Sequence, residues 1–253
     1  MEHRVKVDVT SAAIVVALGV AASLITSTAI AGRAYQQRAA QAQTQSREID
    51  VRGSARVRVT SDLAVWRIHV SGRAASLQEA FRNLDKAAGQ VRAFLVDAGF
   101  PADTVTLNAI DTTEYHKKDK HDNDTPEVEA YTLSQTFTVT TSDVGKIDRT
   151  ASRVTELIGE GVPVVSWRPE YYFSKAADLK IKVIADATAD AKARAEQIAR
   201  SAGCALAEVR RVNVGPLQIT QPDSTDISSG GRYDTATIEK DVSVVVNAEF
   251  GLG

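Results

Sequence analysis

From Ile49 onward the apolar residues change period in a fixed order, and that order limits the folds open to the chain. Ile49, Val51, Ala55, Val57 and Val59 share one parity, with Asp50, Arg52, Arg56 and Arg58 on the other. A period of two sends alternate side chains to opposite faces, so the segment reads as a half-buried strand. Thr60–Asp62 can turn the chain. Trp66, Ile68 and Val70 then alternate with Arg67, His69 and Ser71. The two segments are expected to form a hairpin with one basic face.

The period then lengthens. Ser76 and Glu79 have the spacing of a capping box. Leu77, Phe81, Leu84, Val91, Leu95 and Ala98 follow at helical intervals, and Gly99 and Pro101 end the run. A strand is expected near 104–110, a charged loop over "EYHKKDKHDNDTPE", and a strand carrying Tyr131, Leu133, Phe137 and Val139. Ser142 or Asp143 opens a second helix with Val144, Ile147, Ala151, Val154 and Ile158, stopped at Gly159 and Gly161. "VPVVSWRPEYYF" reads as one strand, placed at an edge or bulge by Pro163 and Pro169. Ser174 starts a long helix that ends at Gly203. Its stripe is Leu179, Val183, Ala187, Ala191, Ala195, Ile198 and Ala202. A strand with Val209, Val212 and Val214, a polar loop from Pro216 to Thr235, and a closing strand from Ile238 to Phe250 complete the chain. Strand pairs broken by single helices argue for an α+β fold with mostly antiparallel sheets and three helices.

The N-terminus is of another kind. Residues Ser11 to Gly32 carry no charge. As a helix they would span roughly 33 Å, about the thickness of a bilayer's hydrocarbon core. Arg4 and Lys6 precede the run, and Arg33 and Arg38 follow it. Its length points to an uncleaved signal anchor; the small-x-small sequence Ala29-Ile30-Ala31 keeps a cleaved signal peptide as the alternative. The expected organisation is a short tail (1–10), a transmembrane segment (11–32), a polar Gln/Ala-rich stalk (33–48) and one folded domain (49–253). Lys/Arg counts on the two sides are equal and do not set orientation.

Composition and motifs exclude several function classes. A net charge of -2 gives no case for a nucleic-acid partner. The single cysteine, Cys204, rules out a disulfide scaffold. No phosphate-binding glycine loop, nucleophile elbow, zinc-protease motif or C-x-x-C pair occurs. His116 and His121 with Asp119, Asp122 and Asp124 could grip a cation, but their spacing matches no calcium loop, and they read as a solvated loop. Asp178, Asp186, Asp190 and Glu196 on the long helix lie off its apolar stripe and lack a nucleophile or base beside them. They read as packing-helix surface, not as catalytic acids. No cofactor and no metal are expected. The remaining candidate is the basic face: Arg52, Arg56, Arg58, Arg67, His69 and Arg73, as a subunit interface or a site for an anionic ligand.

The ordered set "IDVRGSARVRVTSDLAVWRIHVSG", "LVDAGFPADTVTLNAI", "YTLSQTFTVTTSDVGKIDRTASRV", "DATADAKARAEQIARSAGCALAEVRRV" and "VSVVVNAEF" resembles the SIMPL-domain family of bacterial exported proteins over Ile49 to Phe250. One departure is Ser61-Asp62, where that family usually has Pro-Asp. The resemblance implies an exported α+β protein that forms a ring-like or cage-like homo-oligomer, without catalytic residues to carry over. It includes proteins linked to oxidative-stress defence. Taken with the N-terminal segment, it implies a single-pass inner-membrane protein with a periplasmic, non-enzymatic domain. The alternative is a soluble periplasmic module that binds a ligand or protein through the basic face.

Overall fold

The computed structural model describes residues 47–253. The expected membrane segment at 11–32 and most of the stalk lie outside the described residues. Among those described, no helix is long and apolar enough to cross a membrane. The strands are β1 (Glu48–Thr60), β2 (Leu63–Ala74), β3 (Val105–Leu107), β4 (Asp111–Lys118), β5 (Asp124–Thr141), β6 (Val164–Ser166), β7 (Glu170–Tyr172), β8 (Leu206–Val214), β9 (Gln218–Thr220), β10 (Arg232–Tyr233) and β11 (Glu239–Leu252). The helices are α1 (Leu77–Asp97), α2 (Val144–Arg153), α3 (Thr155–Gly159) and α4 (Ala176–Ser201). Two compact units divide these residues. One comprises 47–51, 192–212 and 248–253; the other comprises Arg52–Ala191 and Asn213–Asn247.

The α+β class with antiparallel-rich sheets holds. The first hairpin does not. β1 pairs with β11 in a five-stranded sheet, order β1-β11-β9-β10 with β8 also on β11. β2 belongs to a six-stranded sheet and runs antiparallel to β5 from Ala64↔Thr141 to Ala74↔Tyr131. The turn at Ser61–Asp62 therefore passes the chain from one sheet to the other. Long-range bonds hold it there: the Ser61 N–H donates to the Ile238 carbonyl at 2.9 Å, and the Asp62 N–H to Tyr172 at 3.0 Å. The Asp62 carboxylate accepts from the Ser174 backbone and hydroxyl, at 2.7 and 2.8 Å, and so fixes the entry to α4. The Ser61 N–H bond is one that a proline could not make.

Three further expectations are corrected. The charged segment is not a loop: β4 and the start of β5 form a ribbon, and only Asp119–Asn123 turns. "VPVVSWRPEYYF" makes two strands, β6 and β7, both on β2, interrupted around Arg168-Pro169 where proline offers no N–H. The second helix breaks at Val154 into α2 and α3.

In the larger unit, α1 and α2 cover the inner face of the six-stranded sheet. Trp66, Ile68, Val70, Phe137 and Val139 are wholly buried with Leu84, Val91 and Ile147. The Trp66 indole N–H donates to Ser166 at 2.9 Å, so the large ring is buried without an orphan donor. The same unit has a second core, Val183 and Ala187 of α4 against Ile219, Val242, Val244 and Val246.

Both contacts of helix with strand depend on a glycine. A Cβ on Gly53 would lie 2.1 Å from the Ala187 carbonyl oxygen; one on Gly72 would lie 2.3 Å from the Leu84 nitrogen and 2.4 Å from the Ala80 oxygen. Approach of backbone to backbone at this range needs small residues on the helix. This corrects the two expected stripes. On α1, Ala80, Leu84, Ala87, Ala88, Val91 and Leu95 are buried, whereas Leu77 and Phe81 are about half exposed, at 47% and 48%. On α4 the buried line is Val183, Ala187, Ala191, Ala195 and Ala199, four residues apart, and Ile198 faces out.

Gly53→Ala and Gly72→Ala are each predicted to destabilise the protein by about 3 kcal/mol or more through overpacking against backbone. Gly89→Ala on α1, where an added Cβ meets nothing, is predicted to stabilise by about 0.5–1 kcal/mol. Denaturant midpoints at unchanged slope check both; equal effects at the three positions would refute the close-approach account.

Candidate functional site

The six residues of the expected basic face do not share a surface, because β1 and β2 lie in different sheets. Arg56 and Arg58 reach Asp241 on β11. The Arg58 guanidinium forks onto that carboxylate at 2.9 and 3.2 Å and bonds Asp223 at 2.7 Å, while Arg56 approaches to 3.6 Å. The Asp223 backbone N–H adds a third hydrogen bond to Asp241 at 2.9 Å. Arg52, on the same parity of β1, is exposed and makes no ion pair among the described residues.

On β2, Arg67 pairs with Glu170 at 3.0 Å, and the Tyr172 hydroxyl donates to the same carboxylate at 2.8 Å. The tyrosine bond, then the arginine, draw the Glu170 carboxyl below its ordinary range. Arg73 lies 4.5 Å over the Tyr115 ring, a cation–π contact. The His69 ring is 5.9 Å from Trp167 and within 3.3 Å of the Thr136 hydroxyl. Arg67, His69 and Arg73 do share one face, the one turned away from α1. There they stand beside Thr138, Thr136 and Thr132 of β5.

Trp167, 47% exposed, joins that face to a groove of about 620 Å³ lined by Asp148, Ser152, Thr155, Arg168 and Tyr171. The Tyr171 hydroxyl donates to Asp148 at 2.9 Å. Burial, then the adjacent carboxylate, push this phenol up to about 12, so it is a hydrogen-bond donor and not a base at neutral pH. The groove offers one aromatic plate, a carboxylate, hydroxyls and an arginine. That set can hold a polar ligand, but it contains no nucleophile with a base beside it.

The most enclosed charges were not anticipated. Lys240 and Asp241 open β11 and point to opposite faces, and both are almost wholly buried. The Lys240 ammonium donates to the Asp234 carbonyl (2.7 Å), the Asp234 carboxylate (3.0 Å) and the Thr237 carbonyl (2.7 Å). Three donors meet three acceptors, so the buried charge is fully satisfied. Burial disfavours the Asp234 carboxylate, but bonds from Thr237 and Lys240 outweigh it and hold the group below its usual range. A Lys-Asp pair at a strand start carries no sequence signal for burial. Its only hint is the break in an otherwise apolar alternation.

The other candidates resolve plainly. Asp119 accepts from the His121 and Asn123 backbone N–H groups, at 2.7 and 3.0 Å, and shapes the turn. No cluster that could hold a metal occurs among the described residues. On α4, Asp186 pairs with Lys182 at 2.8 Å, Asp190 accepts from the Ser54 N–H at 2.8 Å, and Glu196 is 3.9 Å from Lys192.

Lys240→Met is predicted to destabilise by about 3 kcal/mol, because the Asp234 carboxylate and two carbonyls lose their shared donor. The Asp241 carboxyl is held down first by the Arg58 bond, then by the Asp223 N–H. Its contribution is full above the unfolded value near ~4 and is lost as pH falls toward the lower folded value. Asp241→Asn should therefore lessen the fall in stability between about pH 4 and pH 2. An unchanged slope in unfolding curves over that range would contradict it.

A family model described as "SIMPL: Protein of unknown function (DUF541)" matches residues 49–250. No curated protein matches the chain. Among solved structures, a crystal structure of an uncharacterized conserved protein from Listeria innocua is similar to it at 12% identity, over 76% of this chain and 91% of that one, with a TM-score of 0.16.

Proposed function

The chain belongs to the SIMPL family, and on that premise we propose that it is a non-enzymatic scaffold that assembles from copies of itself, held at the inner membrane by residues 11–32 with its folded part in the periplasm. The observation that carries this reading is where the apolar surface lies. Val209, Val212 and Val214 stand exposed on β8, a strand bare on both faces over nearly its whole length. Val165 and Trp167 stand exposed at and just beyond β6, at the margin of the other sheet. Apolar side chains on regular strands at sheet margins are what an association surface requires. The strongest charged groups, by contrast, are engaged in internal pairs: Arg58 with Asp241, and Lys240 with Asp234.

A second reading is a binding module for a polar or anionic ligand. It is favoured by Arg67, His69 and Arg73 on one face of β2, beside Trp167 and Tyr115.

Two masses test the first reading. The intact mass of the chain extracted from membranes is predicted to include residues 1–46; a shorter chain would end the anchor reading in favour of a cleaved signal. The native mass of the same sample in mild detergent is predicted to be a multiple of the single chain. A single-chain mass at all concentrations, with a melting temperature raised by anions, would move the reading to the binding module.

A further inference from the structure

The groove beside Trp167 is walled by three segments that internal bonds hold in place. The link between β6 and β7 supplies Trp167 and Arg168, and the Trp167 N–H pins it to the Arg67 carbonyl at 3.1 Å. The end of α2 and the start of α3 supply Asp148, Ser152 and Thr155. Ala236 closes the third side, and its neighbour Thr235 is held by the Tyr171 N–H at 2.8 Å. The Tyr171 hydroxyl engages one oxygen of Asp148, and no bond among the described residues engages the other. Arg168, exposed in the same lining, makes no ion pair among the described residues, with Asp148 or with any other group. An acceptor and a donor thus stand unpaired in one groove whose walls are already fixed. We propose that this groove binds a neutral oligosaccharide, with one ring stacked on the Trp167 indole and the next held between Asp148 and Arg168. Such a site goes beyond the assembly reading, which uses the exposure of Trp167 and not the groove beside it. It also differs from the anionic-ligand reading, because it does not need the arginines of β2.

The lining selects the ligand class. Asp148 and Arg168 are its only charged groups, so its formal charge is zero. An anion is opposed by Asp148 and a cation by Arg168. A sugar hydroxyl both donates and accepts, so it suits either group, and the Ser152 and Thr155 hydroxyls can take either role in return. Carboxylate and guanidinium are planar forks, matched to two neighbouring hydroxyls on one ring. The exposed indole offers an apolar plate to the C–H face of a ring and an N–H at its margin. A groove of about 620 Å³ lies in the usual range for ligand sites. A free amino acid would satisfy both charges, but it would fill only part of that space and leave the plate uncovered. Walls that are fixed before binding lower the ordering cost of holding a flexible chain.

The test uses the full chain in a polyoxyethylene detergent, which has no sugar headgroup. The chain has two tryptophans, and Trp66 is wholly buried, so quenching by acrylamide reports chiefly on Trp167. The probes are cellotetraose, maltotetraose and chitotetraose, with glycylglycine as a zwitterion and a heparin tetrasaccharide as a polyanion. At least one neutral tetrasaccharide is expected to shield Trp167 saturably, and the other two probes are not. By calorimetry, Asp148→Asn and Arg168→Ala should each weaken that binding about tenfold. Arg73→Ala should leave it unchanged. Should Asp148→Asn disturb Tyr171 and lower the melting temperature, Arg168→Ala, at an exposed position, carries the test by itself. Shielding by glycylglycine or the heparin fragment alone overturns the neutral-glycan assignment. Binding lost in Arg73→Ala and kept in Arg168→Ala overturns the groove and favours the face of β2. No binding of any tetrasaccharide overturns the site and leaves the assembly reading, which the native mass decides, untouched.

Discussion

The buried ammonium of Lys240 sets the terms for the larger unit. A charge with no exposure to solvent requires three acceptors, and the chain supplies them by folding the segment before β11 back on itself, through Asp234 and Thr237. Once that segment is fixed, its remaining polar groups become connectors. The Asp234 N–H donates to Ile219 in the five-stranded sheet, and the Thr235 carbonyl accepts from Tyr171 in the six-stranded sheet, each at 2.8 Å. Ile238, two residues before the lysine, accepts the Ser61 N–H at the crossing between sheets. The neighbour Asp241 gathers Arg56, Arg58 and the Asp223 N–H on the opposite side of the strand. Two adjacent residues thus bind one loop, one strand and both sheets.

Packing around this polar knot uses one device twice. Gly53 under Ala187 and Ala191, and Gly72 under Ala80 and Leu84, each let a helix touch strand backbone directly. The consequence runs back to composition. A helix seated that closely must present alanine, so α4 carries Ala187, Ala191, Ala195 and Ala199 and no large side chain along that line. Phe81 and Ile198 lie off those lines and are exposed.

What the sequence made legible follows from the range of each signal. The alternation in β1 and β11, the Ser76 cap on α1 and the glycine after it are local, and each appears where its residues place it: the Glu79 N–H donates to Ser76, and Gly99 has φ of 77°. Partner choice is not local. Period two declares a strand half-buried and does not say against what. The short turn after Thr60 therefore looks like a hairpin, although its bonds go to Ile238, Tyr172 and Ser174, more than a hundred residues away. The basic face inherited that error. Arg56 and Arg58 left it for Asp241, and only Arg67, His69 and Arg73 remained together on β2.

The division of labour between charge and apolar surface follows from these two facts. Arginines that alternate along a strand would ordinarily be a solvated face. Here Arg58 forks onto a buried carboxylate and bonds a loop aspartate, which ties the half-exposed guanidinium to the fold. The close helix–strand contacts admit only small residues, and the large buried side chains come mainly from alternating strands, so other apolar side chains are left on helix backs and strand edges. On a helix back such residues make at most a small pair, as Leu77 and Phe81 do one turn apart on α1. On β8 they are repeated, at Val209, Val212 and Val214, along a strand exposed over nearly its whole length.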